Sequence, residues 1–237
     1  MASPAHSSDA PPTDATRRPL KSRQAQWANA LARRLANANV SPNTISVASI
    51  PLALLAAAAF VATRHTTSAP LDCVLFLLAV VGIQGRLICN LLDGMVAIEG
   101  GKKSASGPIY NEFPDRVADT LILLGAGYAG DATYGPSLGW CAALLAMLTA
   151  YVRVLGAASG AGTYFIGPMA KPHRMATLTA ACALAAIGCF FREMAGMLSI
   201  ALVVICIGCV PTTVRRLSRI IADLRRGASV APAEVAS

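Results

Sequence analysis

The sequence predicts an all-α, polytopic membrane protein with six transmembrane helices and an amphipathic interfacial helix before them. Of its 237 residues, 55% are hydrophobic and only 14% are charged, a composition unlike that of soluble domains. Apolar stretches recur at lengths near the roughly 20 residues that a bilayer requires. Six such stretches can be read from the sequence, at residues 44–63, 71–97, 114–133, 138–158, 174–191 and 196–213.

Lys and Arg residues are distributed unevenly between the two sides of this topology. Most of the 20 precede residue 40, follow residue 211, or lie in the connections after the second and fourth spans, which share one side. This positive-inside pattern places both termini in the cytoplasm. We therefore expect an integral, multi-pass protein of a bacterial inner membrane, with its active site on the cytoplasmic side. The net charge of +8 then indicates anionic membrane lipids as partners, and no nucleic acid.

The regions before and after the spans predict additional segments of the chain. A helix start is expected at residues 41–44, with Ser or Asn as the cap and Pro in the first turn. The stretch just before it can present apolar and basic faces, as an interfacial helix does, although a short soluble helix packed on the bundle is the alternative. The predicted segments are a disordered tail at 1–16, an amphipathic helix at 17–39, the six-helix catalytic domain at 40–213 and a basic cytoplasmic tail at 214–237.

Carboxylates near the cytoplasmic ends of the second and third spans indicate a functional site, because ionisable groups at membrane depth are costly. Residues three or four apart share a helix face, so two polar stripes are expected to converge. Carboxylates brought together repel one another unless they share protons or bind cations, and oxygen ligands favour Mg²⁺, Mn²⁺ or Ca²⁺. The first stripe contains Arg86, Asn90, Asp93 and Ala97, and the second contains Asn111, Asp115 and Asp119.

This stretch resembles the signature of the CDP-alcohol phosphotransferases, D-x-x-D-G-x-x-A-R followed by a spacer and G-x-x-x-D-x-x-x-D. Residues 93–97 match the first half and residues 115–119 match the second. Two positions depart from it, because Asn90 stands in the place of the first Asp and Ile98 in the place of the Arg. The resemblance implies a membrane enzyme that transfers a phosphate-linked group from a CDP-linked donor to an alcohol.

The spacer allows two alignments of the second half. Strict spacing makes Gly107 the motif glycine and puts Asn111 and Asp115 in the two late Asp positions. A spacer four residues longer puts Asn111 at the glycine position and keeps Asp115 and Asp119 in register. We prefer the longer spacer at this point because it retains three of the four carboxylates. Asn111 has a second interpretation, in which it caps the third transmembrane helix.

The resemblance implies particular roles for these residues. Two Mg²⁺ or Mn²⁺ ions would be held by Asp93, Asp115 and Asp119 with Asn90, and would neutralise the pyrophosphate of the donor. Asp119 would act as general base, with Asp115 as the other catalytic carboxylate. The alternative is a buried polar network that stabilises helix packing. The residues expected to accommodate the cytidine nucleotide are Gly94, Ala97, Gly107 and Asn111.

A basic cluster is expected on the same cytoplasmic side. Arg153 lies near the end of the fourth span, and Lys171 and Arg174 open the fifth. The resemblance is to the branch of the family whose acceptor is inositol phosphate or glycerol phosphate, and it implies that these cations bind the acceptor phosphate. Arginine suits that role because its fork matches phosphate oxygens. The alternative is that these side chains extend to lipid headgroups.

The predicted function is therefore transfer of a phosphatidyl group from a CDP-diacylglycerol-like lipid to a phosphate-bearing alcohol, with release of CMP. Three alternatives stay open at this stage. The donor can be a small CDP-alcohol and the acceptor a lipid. The chain can be a transporter that uses carboxylates as a proton or cation relay, or a non-catalytic scaffold. A homodimer is left open.

Overall fold

The computed structural model describes residues 25–101, 104–130, 133–188 and 194–230. Within these ranges the chain is helical, with no strand, in agreement with the predicted all-α class. A single 3₁₀ turn, Thr63–His65, extends the second helix. The helices are α1 (Gln26–Asn37), α2 (Pro42–Ala62), α3 (Ala69–Glu99), α4 (Gly107–Ala129), α5 (Gly135–Ala158), α6 (Lys171–Gly188) and α7 (Met194–Val230).

Four helical segments in the described residues are long and apolar enough to cross a membrane, which identifies an integral membrane protein. The prediction of spans is confirmed for α2, α3, α5 and α7. Helices α4 and α6 do not meet the same criteria of length, mean hydropathy and few charged residues. Both of these helices carry charged residues of the predicted site, Asp115 and Asp119 in α4 and Lys171 and Arg174 in α6, and these residues lower their hydropathy. The four segments are Pro42–His65, Ala69–Glu99, Gly135–Ala158 and Gly196–Arg226.

The start of α2 follows the predicted capping. Ser41 precedes the helix in an extended conformation, and its side chain accepts a hydrogen bond from the backbone N–H of Thr44 at 3.0 Å. Pro42 occupies the first helical position, where its missing N–H costs no helical hydrogen bond. Because this end is fixed locally, the sequence locates it within residues 41–44, and the structure identifies Ser41 as the cap.

Helix α1 packs on the cytoplasmic end of α3, by the predicted topology. Ala28 and Ala32 are buried in one cluster with Leu91 and Val96 of α3. On the opposite side Trp27 is 52% exposed, as expected of an aromatic residue at a membrane interface. The interfacial position of α1 stays a prediction, and residues 1–24 lie outside the described residues.

Two helix boundaries differ from the predicted ones. Helix α4 begins at Gly107, so that Asn111 lies inside the helix, and the interpretation of Asn111 as a cap is wrong. Helix α7 continues through Pro211 to Val230, although residue 213 was the predicted end of the last span. The buried stripe of α7 runs through both parts and contains Ile205, Cys209, Thr212, Arg216 and Ile220.

Small residues let α4 approach α2 closely. A Cβ atom at Gly125 of α4 would lie 2.6 Å from the Cα atom of Ala57, so only glycine fits there. Helices in membranes commonly pack through small residues. Lipid tails are as apolar as the helix surfaces, so close van der Waals contact, and not the hydrophobic effect, holds the helices together. This packing brings the polar first turns of α4 beside the polar last turns of α3, where the predicted site lies.

Candidate active site

A cavity of about 350 Å³ lies where α3, α4, α5, α6 and α7 meet. Most of the residues predicted for the site line it, and they come from four helices separated along the chain. Asp119, Ala97 and Gly107 are not among its lining residues. The predicted residues that do line it are Asn90, Asp93, Gly94, Asn111, Asp115, Arg153, Lys171 and Arg174.

Asp93 is buried at the wall of the cavity formed by α3. Its Oδ2 atom accepts a hydrogen bond from the hydroxyl of Ser46 on α2 at 2.6 Å, and its Oδ1 atom accepts one from the backbone N–H of Gly94. Ser46 is buried too, so this bond fixes the carboxylate relative to α2. The stripe that places Asp93 beside Asn90 is the one expected from helical spacing.

Asp119 lies behind the cavity in a network of buried ion pairs. Its Oδ1 atom accepts a hydrogen bond from Arg86 of α3, and its Oδ2 atom accepts one from Arg174 of α6 at 2.9 Å. The exposed fraction is 0% for Arg86 and 2% for both Asp119 and Arg174. Two guanidinium groups therefore contact both oxygens of Asp119, and its roles as general base and metal ligand stay predictions.

Asp115 is the carboxylate of α4 that lines the cavity. Its Oδ2 atom accepts a hydrogen bond from the Lys171 ammonium group, and the guanidinium group of Arg116 lies 3.7 Å from the same oxygen. Its Oδ1 atom is buried and has no hydrogen-bond partner among the described residues, with Arg86 at 3.6 Å. Oδ1 is thus the oxygen of Asp115 that no hydrogen bond from a described residue occupies.

The predicted two-ion centre does not fit the arrangement of these side chains. Of the six carboxylate oxygens of Asp93, Asp115 and Asp119, only Oδ1 of Asp115 accepts no hydrogen bond from a described residue. Asn90 adds only a neutral amide. Within the described parts of the chain, no three His, Cys, Asp or Glu side chains are grouped so as to hold a metal ion. Protein side chains pair with two of these carboxylates: Lys171 with Asp115, and Arg86 and Arg174 with Asp119.

Arg153 and Arg174 both line the cavity, as predicted, but their surroundings differ. Arg153 of α5 donates a hydrogen bond to Glu112, and its guanidinium group lies 5.3 Å from the ring centre of Phe165. It is only partly buried. Arg174 is buried and donates to the carbonyl of Met169 at 3.0 Å besides its ion pair with Asp119. Arg153 is therefore the better placed of the two to meet an incoming ligand.

Arg216 of α7 also lines the cavity and was assigned to a basic tail from the sequence. It donates to the carbonyl of Thr149 at 2.7 Å and to that of Ile166 at 3.0 Å. The buried stripe of α7, continued past Pro211 at intervals of three and four residues, reaches this position. That periodicity was the signal in the sequence that could have found it.

The loop between α5 and α6 is held against α7 beside Arg216. The N–H of Met169 donates to the hydroxyl of Thr212 at 2.9 Å. Gly167 has a φ of +119°, and a Cβ atom there would lie 2.5 Å from the side chain of Thr212, so both its conformation and its contact require glycine. These contacts fix the segment that leads into Lys171 and Arg174.

Cationic side chains outnumber anionic ones on the wall of the cavity. The anionic residues are Asp93, Glu112 and Asp115, and the cationic ones are Arg116, Arg153, Lys171, Arg174 and Arg216. A concave site with excess positive charge attracts anionic ligands, and phosphate groups match the geometry of arginine forks. The cavity is thus suited to a ligand with several phosphate groups.

Comparison with solved structures identifies the fold. The chain is similar to a phosphatidylinositol phosphate synthase of Mycobacterium tuberculosis with CDP-DAG bound, with a TM-score of 0.66 and 16% identity over 83% of this chain and 94% of that chain. The chain has the phosphatidylinositol phosphate synthase fold. The same synthase in complex with manganese and citrate gives a TM-score of 0.66 and 16% identity over 82% of this chain and 88% of that chain.

The synthase fold was the one expected from the signature, so the predicted resemblance is confirmed by the architecture. The apo form of the synthase matches with a TM-score of 0.64 and 16% identity, over 82% of this chain and 96% of that chain. No protein-family model and no curated protein sequence matches the chain. The likeness therefore lies in the fold, and the chemistry is argued from the cavity.

Proposed function

We propose that the protein transfers a phosphatidyl group from a CDP-linked lipid to a phosphate-bearing alcohol and releases CMP. The observation that carries this proposal is a cavity in which Asp93 and Asp115 face a predominantly cationic wall. A phosphatidylinositol phosphate synthase with the same fold binds CDP-DAG, and this supports a CDP-linked lipid as the donor. A transporter would distribute polar groups across the membrane, whereas here they gather at one end of the bundle.

Asp115 is the residue best placed to act as general base. It lines the cavity and has one buried oxygen without a hydrogen-bond partner in the described part of the chain, while both oxygens of Asp119 are taken by arginines. This choice corresponds to the strict spacing of the signature, in which Asn90, Asp93, Asn111 and Asp115 are the four motif positions. All four of these side chains line the cavity.

The reaction then requires little beyond positioning and charge stabilisation. The hydroxyl oxygen of the alcohol attacks the phosphorus atom bonded to the lipid, and its proton passes to Oδ1 of Asp115. The phosphorus–oxygen bond to CMP breaks, and CMP leaves with the electron pair. Lys171 and Arg116, both beside Asp115, lie where charge accumulates on the transferred phosphate. Arg153, at the more exposed part of the wall, binds the phosphate of the acceptor.

The activity is tested directly with purified protein in detergent. We expect CMP release from CDP-diacylglycerol only when a phosphate-bearing alcohol is added, with inositol phosphate and glycerol phosphate assayed separately. CDP-choline with diacylglycerol tests the alternative in which the donor is a small CDP-alcohol and the acceptor is a lipid. A folded protein that releases no CMP with any of these pairs would refute a CDP-alcohol phosphotransferase and leave the non-catalytic alternatives.

Arg153→Ala is expected to raise the KM for the acceptor about ten- to a hundredfold, because a hydrogen bond to a charged group contributes about 1.5–3 kcal/mol. The KM for the CDP-linked donor should change little. Arg219→Ala is a matched control, since Arg219 also lies over an aromatic ring, that of Tyr164, but does not line the cavity. Equal losses of donor and acceptor affinity in Arg153→Ala would contradict a separate acceptor site.

The orientation of the protein is tested by cysteine labelling. In a variant without the native cysteines, we expect Ser104→Cys to react with a membrane-impermeant reagent added from the cytosolic side, and Ser137→Cys to react from the opposite side. Both serines are exposed: Ser104 precedes the start of α4, and Ser137 lies in the first turn of α5, near the other end of α4. The reverse labelling pattern would place the cavity outside the cytoplasm, which is incompatible with the proposed donor and acceptor.

A further inference from the structure

We infer that the ammonium group of Lys171 takes the place of a divalent cation on Asp115, so that this site neutralises phosphate with a protein cation where the signature predicts a metal ion. This inference rests on the proposed function, because it concerns how the same cavity holds the phosphates of its substrates. It is carried by three features of the site: the contact of Lys171, the identity of the motif residues and the charge of the surrounding wall.

The contact between Lys171 and Asp115 joins two helices at the cavity. Lys171 is the first residue of α6, and its ammonium group donates to Oδ2 of Asp115 on α4. The side chain of Lys171 is 21% exposed and that of Asp115 is 8% exposed, so the pair is largely removed from solvent. A metal ion bound to the same oxygen would have to displace this ammonium group. The ammonium group already balances the negative charge of the carboxylate.

The other motif positions provide little negative charge for binding a metal ion. In the strict alignment Asn90 and Asn111 stand where the signature has Asp, and both line the cavity. An amide oxygen can coordinate a hard cation, but it supplies none of the negative charge that tight binding of a divalent ion requires. Of the three motif positions before Asp115, Asp93 is the one that carries a carboxylate.

Nearby charges further oppose a divalent ion on Asp115. The guanidinium groups of Arg86 and Arg116 lie 3.6 Å and 3.7 Å from its two oxygens. Asp119 cannot offset them, because it is already paired with Arg86 and Arg174. Like charges at this separation repel strongly in a partly buried site, so the wall favours phosphate anions over a further cation.

The inference is tested by counting metal ions without measuring turnover. The purified full-length protein is stripped with a chelator, and binding of Mn²⁺ is followed by electron paramagnetic resonance of the free ion. We expect fewer than two Mn²⁺ per wild-type chain. Lys171→Met, which removes the ammonium group and retains an apolar chain of similar length, should bind Mn²⁺ at least about tenfold more tightly than wild type, because a neighbouring positive charge is gone.

Lys171→Arg is the matched control, since it retains the positive charge and should bind Mn²⁺ as the wild type does. Two Mn²⁺ bound per wild-type chain would overturn the inference, and so would equal affinities of the wild type and Lys171→Met. If Lys171→Met does not fold, Lys171→Gln and the wild-type count decide the question in the same way. Because no substrate is present, these results are independent of whether the protein releases CMP.

Discussion

Arg86→Ala is expected to lower the free energy of unfolding by about 3–5 kcal/mol, because it removes one of the two guanidinium groups paired with a buried carboxylate. Arg86 has no exposed surface, and the carboxylate it pairs with, that of Asp119, is 2% exposed. After the substitution Arg174 alone compensates Asp119. Denaturant titration in mixed micelles, followed by circular dichroism, measures this loss.

Arg226→Ala is the matched control for this effect. Arg226 forms an ion pair with Asp223 of the same helix, but its side chain is 63% exposed. An exposed pair contributes at most about 1 kcal/mol, so this variant should unfold almost as the wild type does. Equal stabilities of Arg86→Ala and Arg226→Ala would contradict the buried network.

Asp115→Asn is expected to lower kcat about 10²- to 10⁴-fold, the usual contribution of a general base, without a comparable rise in KM for the donor. An amide has the shape of the carboxylate but cannot accept the proton of the acceptor hydroxyl. Asp119→Asn should retain much more turnover per folded molecule, because Asp119 does not line the cavity. CMP release, normalised to the folded fraction of each variant, measures both.

The two aspartates also decide between the alignments. Collapse of turnover in Asp119→Asn, together with nearly full turnover in Asp115→Asn, would move the base to Asp119 and restore the longer spacer. The expected result instead makes Asp115 the last motif carboxylate. Asp119 would then be a structural residue whose charge positions Arg86 and Arg174.

The predictable parts of this structure are those that depend on neighbouring residues in the chain. Helical spacing places Arg86, Asn90 and Asp93 on one stripe, and in the structure Asn90 and Asp93 line the cavity while Arg86 is buried behind it. The cap of α2 is likewise a local interaction, between Ser41 and Thr44. Apolar length alone was sufficient to find four spans, because hydropathy sums over consecutive residues.

Pairing between distant charges was not predictable in the same way. The sequence shows three carboxylates near one another and several arginines elsewhere, but not which carboxylate the arginines will neutralise. That choice depends on which side chains are withdrawn from water after α3, α4 and α6 pack together. The pairing of Arg86 with Asp119, rather than with a carboxylate in the cavity, follows from burial, and it is the reason that we propose Asp115 as the general base.

The last helix determines where the chain can be shortened. Composition suggests that the residues after Pro211 are dispensable, because they are basic and follow the final apolar stretch. In the folded protein, Thr212 and Arg216 hold the segment that leads into α6 through hydrogen bonds to Met169 and Ile166. A protein truncated at Pro211 would keep most of its last apolar stretch and still lose one wall of its cavity.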